Sequence, residues 1–344
     1  MSVRRADLRQ TRRDFIQTAL LAPSVLSILG NSLCFAEDIK PGVTEPSVEE
    51  TLAAIKAMNA TSASNVTPER LAACDTIQRS VDRLRASEFG EYFKSDAETA
   101  KKWEEERGVL RFLNASFDKV LTEIRETKVA EGRVALWQVY NMGYLVKTPT
   151  QTFAVDIKHR RAPELAPLVD FLLVTHKHSD HYTNEFCDAV AAAGKPVVSN
   201  FIDNEWKTPV EGREYKFGDC RIKTQLVDHN ASLTKFVSAY EIDCGPKSGN
   251  CVIFHVGDAC NVDQIKSTAP VDVFIPHLAV GLDVPKAVNT TLCPKVTLLS
   301  HILELGHLID KWRWSYEYGF NVCKKCANDS VLLPVWGEKY EFRR

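Results

Sequence analysis

Three of the chain's nine histidines lie within six residues, in the sequence Thr-His-Lys-His-Ser-Asp-His-Tyr at 175–182. The residues before them, Asp-Phe-Leu-Leu-Val-Thr at 170–175, are typical of a buried β-strand. Polar side chains at the carboxyl end of such a strand lie where open α/β sheets place their ligands. The spacing therefore predicts that four side chains converge on one small volume: His176, His178, Asp180 and His181.

A cluster of imidazoles with a carboxylate is a typical site for divalent cations. Neutral imidazole nitrogens and carboxylate oxygens are good ligands for zinc and related borderline metals. The alternative is a polar surface turn with a chance excess of histidine. With nine histidines in 344 residues, three within six positions are improbable by chance. We therefore interpret the cluster as a metal site.

The first 36 residues have the pattern of a targeting signal. The paired Arg12 and Arg13 are followed by Phe15 and Ile16 and by an uncharged stretch that ends at Ala36. This resembles a twin-arginine export signal and predicts a periplasmic or secreted protein; a chance Arg-Arg pair before an N-terminal helix is the alternative. Removing the segment changes the formal net charge from −2 to −5, because it holds five of the 43 basic and two of the 45 acidic residues. That balance does not favour nucleic acid as a partner, and no later window is apolar enough for an integral membrane span.

Residues 37–130 have a helical pattern. Ser47 and Glu50 are spaced as a capping box before a first helix, and Thr67 followed by Pro68 favours the start of a second. Apolar residues recur at helical spacing between positions 110 and 124 and predict a third helix. We expect this segment to cover part of the metal site or to form a contact between copies of the chain in a homo-oligomer.

Residues 131–344 contain short apolar runs instead. Eight runs predict β-strands, and helical or loop segments such as 183–195 separate some of them. The runs are 133–140, 143–148, 152–157, 170–176, 221–227, 251–258, 271–276 and 295–301. Strands interleaved with helices predict an α/β layered domain.

The cluster and three later residues resemble the metal-binding signature of the metallo-β-lactamase superfamily. Its His-x-His-x-Asp-His motif is present at 176–181, and in that superfamily a histidine, an aspartate after a strand and a final histidine follow it. His229, Asp258 and His301 match these three positions, and Asp156 resembles an acid that supports the site. The resemblance covers about residues 131–340 and implies a four-layer αββα sandwich with 131–344 as the catalytic domain.

The resemblance also implies a site for two divalent metal ions, with zinc as the expected metal and manganese or iron as alternatives. One ion would be bound by His176, His178 and His229. The other would be bound by Asp180, His181 and His301, and Asp258 would lend an oxygen to each ion. A water shared by two such ions becomes hydroxide near neutral pH and can attack a carbonyl carbon or a phosphorus.

These features predict an exported dinuclear hydrolase that uses a metal-bridging hydroxide on a small-molecule ester, lactone or phosphodiester. Asp180 is expected to orient the hydroxide or to receive its proton. His277 is a candidate contact to the substrate's oxyanion or leaving group, with a packing role as the alternative. Glu304 and His307 are expected to orient metal ligands. The order of strands after Asp258 resembles the branch that contains ascorbate-phosphate lactonase.

Two other functional classes stay open. A mononuclear or di-iron enzyme of sulfur or oxygen redox chemistry can use several of the same ligands, although oxygen-reducing members resemble a pattern with Glu where this chain has His178. A non-catalytic envelope protein can keep a metal site for its structure alone. Dizinc β-lactamases tend to have Cys where this chain has Asp258, which disfavours β-lactam hydrolysis.

Overall fold

The computed structural model describes residues 40, 42–309, 311–327 and 330–344. The export signal at residues 1–36 lies outside them and stays a prediction. The described residues all belong to one compact unit. None of their helices is both long and apolar enough to cross a membrane.

The described chain is helical before its first strand. The helices are α1 (Val48–Asn59), α2 (Pro68–Val81), α3 (Ala86–Lys94), α4 (Ala97–Glu106) and α5 (Gly108–Glu126). The three predicted helices are confirmed as α1, α2 and α5, with the reciprocal Ser47–Glu50 capping box and the Thr67 cap in place. The sequence pattern did not predict α4, because this mostly charged helix buries only Ala100 and Glu104 and has little apolar periodicity.

Two large sheets follow. The first has the strand order β15-β1-β2-β3-β4-β5 and consists of β1 (Arg133–Tyr140), β2 (Gly143–Lys147), β3 (Thr152–Val155), β4 (Phe171–Leu173), β5 (Val197–Val198) and β15 (Lys339–Arg343). The second has the order β14-β11-β10-β9-β8-β7-β6 and consists of β6 (Glu214–Phe217), β7 (Cys220–Val227), β8 (Val237–Asp243), β9 (Val252–His255), β10 (Val273–Ile275), β11 (Val296–Leu298) and β14 (Val331–Leu332). Shorter elements are α6 (Asn184–Ala192), α7 (Val284–Lys286), β12 (Leu308–Ile309), β13 (Trp312–Arg313) and α8 (Tyr316–Cys323).

The eight predicted strands are confirmed as β1, β2, β3, β4, β7, β9, β10 and β11. Strand β8 was missed although it pairs along its whole length with β7. It includes Ser238 and Glu241, which are polar in sequence but only 0 % and 7 % exposed. A strand whose polar residues are buried does not show the alternation by which half-buried strands are recognised.

Side chains on the two faces of each sheet belong to different apolar clusters, because successive strand residues point to opposite sides. Leu136 of the first sheet shares one buried cluster with Ile222 and Ile253 of the second, so this cluster lies between the sheets. Trp137 and Phe254 belong to the other cluster, which contains buried residues of α5, α6 and α8. The four-layer αββα sandwich with an N-terminal helical segment is therefore confirmed.

Two buried arginines join the helical segment to the sandwich. Arg70 of α2 is 1 % exposed and makes a two-point ion pair with Glu338, with Nη–Oε distances of 2.9 and 2.8 Å. Arg313 of β13 donates to the carbonyls of Val81 and Leu84 at 2.9 and 2.6 Å and to that of Leu305 at 2.6 Å. The guanidinium of Arg313 thus fixes the start of α3 against the loop that follows β11.

Candidate metal centre

Loops at the carboxyl ends of four strands supply the predicted ligands. The loop after β4 carries His176, His178, Asp180 and His181, so the motif follows the strand. His229 follows β7, Asp258 follows β9 and His301 follows β11. Donor atoms of these residues come within 4.8 Å of one another in overlapping groups, so positions 125 residues apart in sequence meet in one place.

The first group of donors contains three imidazoles and one carboxylate: His176, His178, His229 and Asp258. Nε2 of His176 lies 3.1 Å from Nδ1 of His178. Oδ2 of Asp258 lies 3.4 Å from Nε2 of His229 and 3.8 Å from Nε2 of His176. Four nitrogen and oxygen donors at this spacing suit one ion of the zinc type.

The second group contains Asp180, His181 and His301. Oδ2 of Asp180 lies 3.1 Å from Nε2 of His301 and 3.6 Å from Nε2 of His181. Oδ1 of Asp258 lies 3.2 Å from Nε2 of His181, whereas its Oδ2 faces the first group. Asp258 therefore presents one carboxylate oxygen to each group of donors, which is the arrangement that a bridging ligand requires.

The polar atoms of this site fit a bound cation. Nε2 of His181 and Oδ1 of Asp258 are buried and lack a hydrogen-bond partner within the described part of the chain, because their 3.2 Å contact does not have hydrogen-bond geometry. Burial lowers the pKa of His181, but the carboxylates of Asp258, Asp180 and Asp156 raise it more, to well above its usual value. Several buried carboxylates thus draw positive charge to this point, which a proton or a metal ion can supply.

Asp156 holds His181 from the side opposite the site. Its carboxylate accepts hydrogen bonds from the backbone N–H and the hydroxyl of Thr175, at 2.7 and 2.6 Å, and lies 2.8 Å from Nδ1 of His181. A carboxylate at Nδ1 keeps the proton there and leaves Nε2 as the nitrogen that faces the ligand groups. This is the supporting position that the resemblance implied for Asp156.

Asn141 is a functional candidate that the sequence reasoning missed. It lies in the turn between β1 and β2 with a φ of 52°, and its Nδ2 donates to Oδ2 of Asp180 at 3.1 Å and to the Asp180 carbonyl at 3.2 Å. Its own carbonyl accepts from the backbone N–H of His301 at 3.3 Å. The Asn-Met-Gly sequence at 141–143 indicates a turn, since Asn tolerates the left-handed region. It does not indicate which residues the turn contacts.

His277 lies beside the second group but is oriented as a hydrogen-bond donor. Its Nδ1 accepts from the backbone N–H groups of Ala279 and Val280 at 2.8 and 3.0 Å, and its ring centroid lies 4.0 Å from that of His301. Burial, and then the neighbouring His301, hold the pKa of His277 well below its usual value, so the ring is neutral with its proton on Nε2. Although His277 is near enough to Asp258 and His301 to be counted with them as a donor group, a protonated Nε2 cannot bind a metal.

Glu304 and His307 contact each other rather than the predicted ligands. One oxygen of Glu304 accepts from the Tyr140 hydroxyl and the Gly306 backbone N–H, both at 2.9 Å, and the other lies 2.5 Å from Nδ1 of His307. Both residues lie in a loop and not on a helix. His307 lines a cavity of about 190 Å³ together with the ligand candidates, so it forms part of the wall of the site.

Comparison with known proteins gives similarity in solved structures only. No protein-family profile and no curated protein matches the chain. A metallo-hydrolase from the archaeon Ignicoccus hospitalis has 16% identity and a TM-score of 0.47, covering 62% of this chain and 99% of that one. An isothiocyanate hydrolase from Delia radicum gut bacteria has 17% identity and a TM-score of 0.46, covering 61% and 100%. The diiron β-hydroxylase CmlA from Streptomyces venezuelae has 14% identity and a TM-score of 0.42, covering 63% and 55%.

Proposed function

We propose that the protein is a dinuclear metal-dependent hydrolase of the metallo-β-lactamase superfamily that acts on an ester, a lactone or a phosphodiester. The observation that carries the proposal is the convergence of donors from four strand ends into two groups, with Asp258 in the first group and in contact with His181 of the second. Each group offers nitrogen and oxygen ligands to one divalent cation. Two such cations, when bound, lower the pKa of a shared water toward neutrality and polarise the bond to be cleaved.

Two side chains in the cavity are suited to act on the reacting groups. Asp180, held by Asn141, can orient the attacking water and receive its proton. His277 presents Nε2–H, because the backbone N–H groups of Ala279 and Val280 occupy its other nitrogen. A donor fixed in this way can stabilise the oxygen on which negative charge develops in the transition state.

The proposal extends to the metal, the substrate branch and the location of the protein. Zinc is the proposed metal, because it suits a set of imidazole and carboxylate donors, and manganese or iron can occupy the same set. The order of the late strands supports a substrate class like that of the ascorbate-phosphate lactonase branch. The pair Arg12 and Arg13 supports export by a twin-arginine signal to the periplasm or beyond.

The test combines metal analysis with a substrate panel. Protein purified from a host that exports it should contain about two divalent ions per chain. It should hydrolyse at least one member of a panel of esters, lactones, phosphodiesters and β-lactams. His178→Ala and Asp180→Ala should each abolish this turnover and lower the metal content, because each removes one donor of a different group.

A matched control is Asp203→Ala, since the Asp203 side chain is 97% exposed and lies outside the site. This variant should keep both the metal content and the turnover of the original chain. Two ions per chain in both His178→Ala and Asp180→Ala would contradict the ligand assignment. An iron-loaded, coloured protein that hydrolyses no member of the panel would instead point to redox chemistry.

A further inference from the structure

A second cleft adjoins the metal cavity. It has a volume of about 420 Å³ and shares Asp180 and His307 with that cavity. One of its walls is helix α3, which contributes Phe89, Gly90, Phe93 and Lys94. Helix α3 therefore lies beside the metal site, where a substrate that reaches past the metal centre would meet it.

The cleft contains a half-buried lysine. Nζ of Lys158 lies 3.7 Å from the ring centroid of Phe93, and among the described residues no carboxylate oxygen lies within 4.0 Å of it. The charges that act on it are Asp180, Glu304 and Glu185, while burial lowers its pKa. A cation–π contact compensates only part of the desolvation of an ammonium group.

The two carboxylates that line the cleft are engaged elsewhere. Asp180 accepts from Asn141 and contacts His301. Glu304 accepts from Tyr140 and Gly306 and contacts His307. The ammonium group is therefore free to pair with an anionic group that enters the cleft.

Two aromatic side chains of α3 line the cleft beside this ammonium group. Phe89 is 4% exposed and Phe93 is half-buried. The wall is held in place because Arg313 binds the Leu84 carbonyl before α3 and the carbonyls of Leu305 and His307 in the loop opposite. Trp312 lines the adjoining metal cavity, is 38% exposed and has a φ of 79°.

We propose that this cleft binds the non-reacting end of the substrate and selects an apolar, preferably aromatic, group that carries a carboxylate or phosphate. Phe89 and Phe93 pack against the apolar part, and Lys158 pairs with the anionic oxygen. The proposal rests on the hydrolase function above and narrows it to anionic esters, lactones or phosphoesters. Lys158 is the specificity residue in this scheme, because a neutral substrate leaves its ammonium group without a partner.

The first experiment compares two esters with the same leaving group, 4-nitrophenyl butyrate and mono-4-nitrophenyl succinate. The metal-loaded full chain should prefer the anionic succinate ester in kcat/KM. Lys158→Met should lower the ratio of the two kcat/KM values at least tenfold, since a hydrogen bond to a charged group contributes a factor of about ten or more. Lys158→Arg should keep most of the ratio, and Lys216→Met, at an exposed position, should keep both activities.

The second experiment measures binding without turnover. Isothermal titration of the metal-loaded protein should show tighter binding of phenylacetate and phenylphosphonate than of phenylacetamide, and Lys158→Met should remove the difference. The two acids distinguish a carboxylate-selective cleft from a phosphate-selective one. If neither ester is hydrolysed but Lys158 still controls anion binding, ester hydrolysis fails and the anionic cleft stands. An unchanged ester ratio, or unchanged anion binding in Lys158→Met, would overturn the cleft assignment while leaving the hydrolase proposal intact.

Discussion

Asn141 provides the sharpest test of how the site is held together, because it touches the ligand candidates without being one. Its amide donates to Asp180 Oδ2 at 3.1 Å, and its carbonyl accepts from His301 N–H at 3.3 Å. Asn141→Gly removes the side-chain bond and keeps the backbone bond, since glycine adopts the φ of 52° without strain. We therefore expect a selective loss at the group that contains Asp180.

The magnitude follows from the bond that is removed. A hydrogen bond to a charged group contributes about 1.5–3 kcal/mol, so binding of one metal ion should weaken about tenfold to a hundredfold. The other ion should be bound as before, because the first donor group does not contact the Asn141 amide. Asn141→Ala should show the same weakening and should also unfold more easily, by about 1–2 kcal/mol, because alanine is strained in the left-handed region.

The assay is a competition titration with a chromophoric chelator, in which the two ions are withdrawn in separate steps. Urea unfolding of the metal-free proteins separates the strain of Asn141→Ala from the loss of the hydrogen bond. If Asn141→Gly holds both ions as tightly as the original chain, the amide does not position Asp180 for binding. If the affinities for both ions fall equally, the two donor groups do not bind their ions independently, which would contradict what the distances indicate.

Two further predictions concern His277 and His181. His277→Phe should keep about two ions per chain but lower kcat by about a hundredfold or more, because it removes an oxyanion donor and no ligand; loss of an ion would show instead that His277 binds metal. The free energy of unfolding of the metal-free protein in urea should fall as the pH rises above about 6.5. The pKa of His181 is raised in the folded protein, so its stabilising contribution is complete below the pKa of the unfolded state and is lost as the folded imidazole deprotonates. His176, His178 and His277 have lowered pKa values and act in the opposite direction at acid pH. Burial lowers the pKa of His307, but its contact with Glu304 raises it more, so the loss above 6.5 belongs to His181 and His307 together. His181→Gln should therefore reduce that slope without removing it, and a flat profile in the original chain between pH 6.5 and 8.5 would contradict the electrostatic account.

The sequence predicted the elements whose pattern is local. Ser47 and Glu50 cap α1 through contacts three residues apart, and residues 171–174 before the histidine cluster are all apolar, so both could be recognised directly. Helix α3, by contrast, buries only Phe89 and Tyr92 over nine residues, and its pattern is too short to distinguish from a loop. Strand β8 was hidden because its polar residues are buried, and the contacts of Glu241 with Ser267 and Thr268 depend on tertiary structure.

The same distinction separates the site residues. The ligand candidates follow apolar runs, and strand ends of facing sheets meet, so their convergence could be predicted from spacing and resemblance. The tautomer of His277 depends on the backbone of Ala279 and Val280, and the pairing of Glu304 with His307 depends on a loop that the spacing alone left open. The sequence around Lys158 did not indicate a function, because the proposed role depends on its contact with Phe93, which is 65 positions earlier in the chain.

The helical segment cannot be an accessory that is removed without consequence. Helix α5 buries Phe117, Val120 and Leu121 in the cluster that contains Trp137 of β1, so its removal would expose the outer face of the first sheet. Removal would also leave Glu338 without its ion-pair partner and the Arg313 guanidinium without two of its acceptors. A partner removed from a buried ion pair costs about 3–5 kcal/mol, a large fraction of the stability of a typical domain. A change in substrate range after deletion of residues 47–127 would therefore be confounded by unfolding, and point substitutions in α3 are the perturbation that separates recognition from folding.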